Sequence, residues 1–242
     1  MAEIVTATDE AVRAVRPRLV GGVLAMVASA VPVVVLALLV RNASGPVARF
    51  DQRADVRTTG IALAHPAVRR AAEVGALALH PWVFRTAVIV AAVVLFRRRA
   101  RAAALWAATT MVVGSLLGVV LKSLVQRARP RLDDPVAAES GFSFPSGHAL
   151  NAALGVTILL LLLWRPLERA ARRGAALAIG VLLVVATSLD RLLLGVHFPT
   201  DVVAGDLVGA LVAISSWVAF GPVLRERSRR EADRATSSGR TA

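Results

Sequence analysis

Residues 102–121 read AAALWAATTMVVGSLLGVVL, twenty consecutive positions without a charge. Twenty helical residues rise about 30 Å, the thickness of a bilayer's hydrocarbon core, so this stretch is long enough to cross a membrane. It is bounded by four arginines within 97–101 on one side and by Lys122 on the other. Apolar runs recur outward from it in both directions. Leu19–Val40 is uninterrupted, and Pro81–Phe96 holds only Arg85, one turn in, where the side chain can snorkel to an interface. Further runs occupy Gly147–Trp164, Ala175–Leu189 and Phe198–Phe220. Leu19–Val40 exceeds the roughly 7–15 residues of a signal-peptide core and reads as an anchor, despite the small residues Ala28-Ser29-Ala30. Residues 50–79 carry charges at irregular intervals and read as a surface helix or loop. The expected fold is therefore all-α, a polytopic bundle of six transmembrane helices across 19–221. A short cytoplasmic tail (1–18) precedes it, and a basic, disordered cytoplasmic tail (222–242) follows.

Composition agrees. Of 242 residues 56% are hydrophobic and 19% charged, with mean hydropathy +0.65, against about 45–50% and 25% in soluble domains. The absence of cysteine excludes a disulfide scaffold, a thiolate metal site and a cysteine nucleophile. The net charge of +13 would suit nucleic acid if it formed one basic face, but the cations lie in short clusters between the apolar runs. No nucleic-acid partner is expected, and nothing in the sequence fixes an oligomeric state. With the amino terminus cytoplasmic, the inner segments hold seventeen basic residues and the outer segments eleven. The positive-inside rule favours that orientation.

The chemically suggestive residues all fall at span ends on the outer side. Lys122 is the sole lysine beside twenty-eight arginines, and Arg129-Pro130 follows it. Two helical turns would put Lys122 and Arg129 on one face before Pro130 ends the helix. Cations at a membrane interface also serve simply as anchors. Pro145-Ser146-Gly147-His148 opens the fourth span. A turn running into a helix presents free N–H groups as an anion cradle, and the same residues also fit a plain helix start with Ser146 as N-cap. Arg191, His197 and Asp201 form the third group, with Pro199 at the helix start. Asp201 can accept from one imidazole nitrogen of His197 and leave the other free to attack, or it can simply stabilise the helix terminus.

Together the three groups resemble the signature of the type 2 phosphatidic acid phosphatase superfamily, membrane lipid phosphatases. The matching residues are Lys122, Arg129, Pro130, Pro145, Ser146, Gly147, His148, Arg191, His197 and Asp201, in order and at the family's spacing. One position departs: the family usually has serine directly before the third-group arginine, and this chain has Asp190. The resemblance implies an active site at the outer ends of spans 3, 4 and 6. Lys122, Arg129, Ser146, Gly147 and Arg191 would bind phosphate, His197 would form a phosphohistidine, Asp201 would orient it, and His148 would protonate the leaving oxygen. Three cations would clamp the charge without a metal or other cofactor.

The implied activity is removal of phosphate from a membrane lipid, with a polyprenyl diphosphate favoured over phosphatidic acid or phosphatidylglycerol phosphate. A lipid phosphotransferase is the enzymatic alternative, and a transporter or scaffold the non-enzymatic one. The histidine pair argues against the last, since anchoring needs only cations. Asp190 is expected to support Arg191 or to face away from phosphate. Arg127 and Arg131 could bind a second headgroup phosphate or lipid. Arg85 is a candidate partner for the intramembrane Asp206, His65 and His80 read as turn or interface residues, and the four tryptophans read as an interfacial belt.

Overall fold

The computed structural model describes residues 27, 30–41, 45–130, 137, 139–164 and 166–238, with the backbone alone beyond 221. The described residues form helices α1 (Ala30–Arg41), α2 (Pro46–Ala64), α3 (Pro66–Ala78), α4 (Pro81–Arg97), α5 (Arg101–Val125), α6 (Gly147–Leu163), α7 (Ala170–Leu193) and α8 (Pro199–Ser238). Proline opens α2, α3 and α4 as well as α8. Its fixed φ and missing N–H suit the first turn, so these prolines divide a continuous helical tendency into separate helices. Residues 50–79 thereby become helices α2 and α3, with α3 leading directly into α4.

Among the described residues four helical stretches are long and apolar enough to cross a membrane: Pro66–Arg97, Arg101–Val125, Ala170–Leu193 and Pro199–Gly221. Helices α1 and α2 together pass the same test as a pair bent by 83°. Large aliphatic side chains face outward from these helices, Leu105 at 70% exposure and Leu182 at 66% among them. Such surface is unstable in water and expected in hydrocarbon. The protein is a multi-pass membrane protein. Much of the anchor read at Leu19–Val40 lies outside the described residues.

Helix α6 is shorter, at 17 residues, and its position explains that. It packs against α4, α5, α7 and α8, and its residues from Ala149 to Val156 are all buried. A helix apolar all round belongs inside a bundle. Gly205 and Gly209, four residues apart on α8, let the two backbones approach. A Cβ at Gly205 would lie 3.0 Å from the Leu150 nitrogen, and one at Gly209 2.7 Å from the Leu154 nitrogen. This small-residue seam is a common means of joining helices in lipid. Leu150, Leu154, Ile158, Trp106, Met111 and Val208 complete the core around it.

A second cluster, Ala62, Ala72, Leu194 and Val196, braces the turn between α7 and α8 with α2 and α3. Thr58 donates to the Leu192 carbonyl at 3.0 Å across the same junction. Several expectations are corrected. Arg85 donates to Asn151 at 2.9 Å and Ser188 to Asp206 at 2.9 Å, so Arg85 and Asp206 take different partners. Trp82 and Trp164 are exposed, but Trp106 is buried edge-on to Trp217 at 4.9 Å and donates to Ser216. The belt therefore loses Trp106 to the core. The backbone of α8 continues as helix to Ser238, where irregular chain was expected; the Arg, Glu and Ala content of 222–238 is helix-favouring.

Candidate active site

The end of α5, the starts of α4, α6 and α8 and the end of α7 meet at one end of the bundle, and the three sequence groups meet with them. Helix α5 stops at Val125 because Gln126 is left-handed, φ 54°, with its N–H on the Lys122 carbonyl at 2.9 Å. The expected two-turn helix to Pro130 is therefore absent. Arg129 instead reaches back from irregular chain, donating to the carbonyls of Val196 (2.7 Å) and Gly141 (3.1 Å). Lys122 donates to the Phe142 carbonyl at 2.6 Å. The two cations still converge, by way of the loop rather than a shared helical face.

Ser146 precedes α6 without capping it through its side chain. Its N–H instead donates to the Asp201 carbonyl at 2.9 Å, tying the start of α6 to that of α8. Its hydroxyl is buried without a partner, an unmet hydrogen-bonding capacity that a ligand could satisfy. A Cβ on Gly147 would meet only the Lys122 Cε, at 3.9 Å, so open space lies beside the helix terminus. His148 stands in the first turn, edge-on to His80 at 5.2 Å. His80 also caps α4, accepting from the Trp82 N–H at 3.3 Å.

His197 is 1% exposed. Arg129 approaches its Nε2 at 3.2 Å. A guanidinium only donates, so this geometry makes Nε2 the acceptor and places the proton on Nδ1. Nδ1 faces the Asp201 carboxylate at 3.7 Å and the Ser143 hydroxyl at 3.4 Å. Ser143 in turn donates a short bond to Asp201, and the Phe198 N–H donates to the same carboxylate oxygen at 2.9 Å. Asp201 thus closes the start of α8 and faces the imidazole both directly and by way of Ser143. Burial pushes the His197 pKa below its ordinary value, and the nearby charge of Asp201 only partly offsets this. The free-base form, whose Nε2 lone pair accepts from Arg129, is favoured.

Arg191, also almost wholly buried, is clasped by Asp190, whose carboxylate accepts from Nε at 2.9 Å and also from Nη2. Asp190 therefore aims the guanidinium, one of the two arrangements the sequence allowed. Arg191 Nη1 lies 3.4 Å from His148 Nε2. Arg127 does not face the cavity as a spare phosphate ligand. It ion-pairs with Asp201 at 2.6 Å and Asp51 at 2.7 Å. Arg131 lies outside the described residues.

Among the residues not foreseen from the sequence, Glu139 is the most central. Its carboxylate sits among the groups expected to hold phosphate, 3.0 Å from Arg129 and 2.8 Å from Arg191. It is 3.9 Å from His148 Nδ1 and 3.9 Å from His197 Nε2. The surrounding cavity, about 290 Å³, is lined by Arg85, Lys122, Arg129, Gly147, His148 and His197 among others. Burial alone would raise the Glu139 pKa, but Arg129, the two histidines and Arg191 together hold it below the usual value. The ionised carboxylate spreads its oxygens over two guanidinium groups much as one edge of a phosphate would. Among the described residues no cluster of three or more His, Asp or Glu side chains is arranged to hold a metal ion. Arg129 and Arg191 supply the positive charge that faces the Glu139 carboxylate.

A family model described as the PAP2 superfamily matches residues 103–224, about half of the chain. The chain belongs to the PAP2 superfamily. Phosphatidylglycerophosphatase B of Escherichia coli K12 is 44% identical over 84 residues, 34% of this chain and 30% of that protein. Undecaprenyl-diphosphatase of Sulfolobus acidocaldarius is 30% identical over 142 residues, 54% of this chain and 59% of that protein. Both matches stop short of two thirds of the relative's length. The crystal structure of a transmembrane PAP2-type phosphatidylglycerolphosphate phosphatase from Bacillus subtilis aligns with a TM-score of 0.63 at 25% identity, over 85% of this chain and 96% of that one. The PAP2 match begins within α5, so α1–α4 lie before it.

Glu139 and an incoming phosphate would compete for the same cations. Glu139→Gln keeps the shape and removes the charge, so orthovanadate should inhibit this variant about tenfold more tightly than the parent protein, or roughly 1.4 kcal/mol. Equal or weaker inhibition would show that the carboxylate does not stand in the anion position.

Proposed function

We propose that this PAP2 protein is a membrane lipid phosphatase that works through a phosphohistidine on His197. The observation carrying the proposal is the convergence of two histidines and two buried or half-buried arginines on a single carboxylate. That pattern gives a nucleophile, an acid and a charge clamp around one anion-sized position. In this reading the substrate phosphate displaces Glu139 and takes its ligands, with Lys122, Ser146 and the Gly147 amide completing the cradle. His197 Nε2 attacks phosphorus in line, and Asp201 stabilises the charge that develops on the ring.

His148 protonates the departing lipid oxygen and then activates water to cleave the phosphohistidine. Its Nε2 faces Arg191, so the neutral ring accepts there before substrate arrives. The ring takes up a proton from water as the dianionic phosphate replaces the monoanionic carboxylate, and it then donates that proton to the leaving oxygen. The clamp is Lys122, Arg129 and Arg191, and no metal is required. Asp190 holds Arg191 in place without approaching phosphate.

A polyprenyl diphosphate is the favoured substrate, with phosphatidylglycerol phosphate second and phosphatidic acid third. Arg85 lines the same cavity as Lys122 and Arg129 of the clamp and offers charge for a second phosphate. The undecaprenyl-diphosphatase relative supports the first choice, and the phosphatidylglycerophosphatase relative and structural neighbour support the second. The membrane domain is taken as 19–221, crossed six times by α1, α4, α5, α6, α7 and α8. With the tails 1–18 and 222–242 taken as cytoplasmic, in line with the distribution of basic residues, the site faces the extracytoplasmic side of the cell membrane.

Purified protein in detergent should release phosphate from one or more of these lipids in the presence of chelator. His197→Ala should lower kcat by about a thousandfold or more, as loss of a nucleophile does. Full activity in His197→Ala, or loss of activity on chelation alone, would contradict the mechanism.

Orientation has its own test, since Ser140 is exposed beside the site and Arg99 is exposed between α4 and α5. In the cysteine-free chain, Ser140→Cys should react with an impermeant thiol reagent on whole cells and Arg99→Cys should not. The reverse labelling would put the site in the cytoplasm.

A further inference from the structure

Asp51 lies on α2, outside the residues matched by the family model, yet it is fully buried against the candidate site. Its Oδ2 accepts from Arg127 Nη2 at 2.7 Å and from the Thr200 hydroxyl at 2.5 Å. Its Oδ1 faces the Thr200 N–H at 3.2 Å. That N–H is in the first turn of α8 and has no partner within the helix, so Asp51 satisfies it from another element. Arg127 is held by three further contacts, with Asp201, Thr200 and Phe198. Nη1 donates to Asp201 Oδ1 at 2.6 Å and to Thr200 at 2.8 Å, and the guanidinium stacks on the Phe198 ring at 4.3 Å. One oxygen of Asp201 is thus committed to Arg127, and the other faces Ser143, the Phe198 N–H and His197.

We propose that Asp51 is a positioning residue for phosphoryl transfer, fixing Asp201 against His197 through Arg127 and Thr200. The inference rests on the function proposed above and extends the site to a helix that the family match does not include. Physically, Asp201 must neither rotate away from His197 nor give its charge wholly to Arg127. An unopposed Arg127 would draw on Asp201 from one side only. Asp51 places a second carboxylate on the far side of the guanidinium, dividing its charge between two acids and pinning the start of α8 directly. The series Asp51, Arg127, Asp201, His197 alternates in sign when the imidazole is protonated or phosphorylated, which stabilises that state.

The charged and titratable groups facing His197 are Arg129 and Glu139 from the connection between α5 and α6, Lys122 from α5 and Asp201 from α8. His148 of α6 also interacts with it. Asp51 and Arg127 act behind Asp201, so their substitution should change His197 with opposite signs. Removing the anion in Asp51→Asn makes the imidazolium less favourable and moves the His197 titration to lower pH. Removing the cation in Arg127→Gln moves it to higher pH. A role confined to packing would move neither.

The experiment is a ¹⁵N-histidine titration of the full-length protein in detergent, with the His197 signal assigned from His197→Ala, alongside kcat and KM on one lipid phosphate. Asp51→Asn should shift His197 down by about one pH unit. It should lower kcat about 10- to 100-fold, the range seen when groups behind a reactive ligand are removed, with KM changed by no more than about twofold. Asp51→Glu should recover part of the loss. The double variant with Arg127→Gln should be no slower than Arg127→Gln alone, because both cut one linkage. If Asp51→Asn does not accumulate, the upward shift in Arg127→Gln still reads the same linkage. An unmoved His197 titration, or kcat losses that multiply in the double variant, would overturn the proposal. A parent protein that releases no phosphate would instead overturn the proposed function, while the titration would still decide the role of Asp51.

Discussion

Lys122, Arg129 and Arg191 cannot be gathered at the end of a membrane bundle without an anion among them. Two like charges about 6 Å apart at an effective dielectric of about 20 repel by roughly 3 kcal/mol, and partial burial prevents water from screening them fully. The molecule meets this constraint with its own carboxylates. Glu139 bridges Arg129 and Arg191, Asp190 clasps Arg191 from behind, and Asp51 and Asp201 flank Arg127. Of these acids only Glu139 bridges Arg129 and Arg191 and faces both histidines. It comes from a connecting segment rather than from a helix, so it can be exchanged for a ligand without dismantling the bundle.

The rest of the fold supplies the rigidity that such an exchange requires. Gly205 and Gly209 bring α8 onto α6 at backbone contact, and the Ser146 N–H on the Asp201 carbonyl fixes the two helix starts to each other. His148 and His197 ride on those two starts. Helices α2 and α3 press on the turn between α7 and α8, where Arg191 and His197 are separated by five residues. A site assembled from helix ends in this way keeps its geometry through packing, and its reactive groups need no long loops to hold them.

How much of this the sequence disclosed follows from the range of each interaction. Charge-free runs near 20 residues show membrane-crossing helices directly, because bilayer thickness sets their length. Lys122, Arg129, His148, Arg191, His197 and Asp201 were legible because their spacings match a family pattern and each lies at the end of such a run. Helix α6 was legible as apolar, but its 17 residues make sense only once its burial on all sides is seen. The α5 terminus was misplaced because a left-handed Gln126 ends the helix before Pro130 does. Asp51 was invisible because it meets Thr200 across 149 positions. Glu139 resembled any acid in a polar loop; only its position among two guanidiniums and two imidazoles distinguishes it.

The central claim is that one anion position, filled by Glu139 in the free protein, is where phosphorus reacts with His197. A structure of the protein with orthovanadate measures this directly. The account predicts vanadium bonded to His197 Nε2, its oxygens on Arg129, Arg191 and the Gly147 amide, and the Glu139 carboxylate displaced from both arginines. Vanadate bound elsewhere while Glu139 keeps its two arginine partners, or bonded to His148 instead of His197, would contradict it.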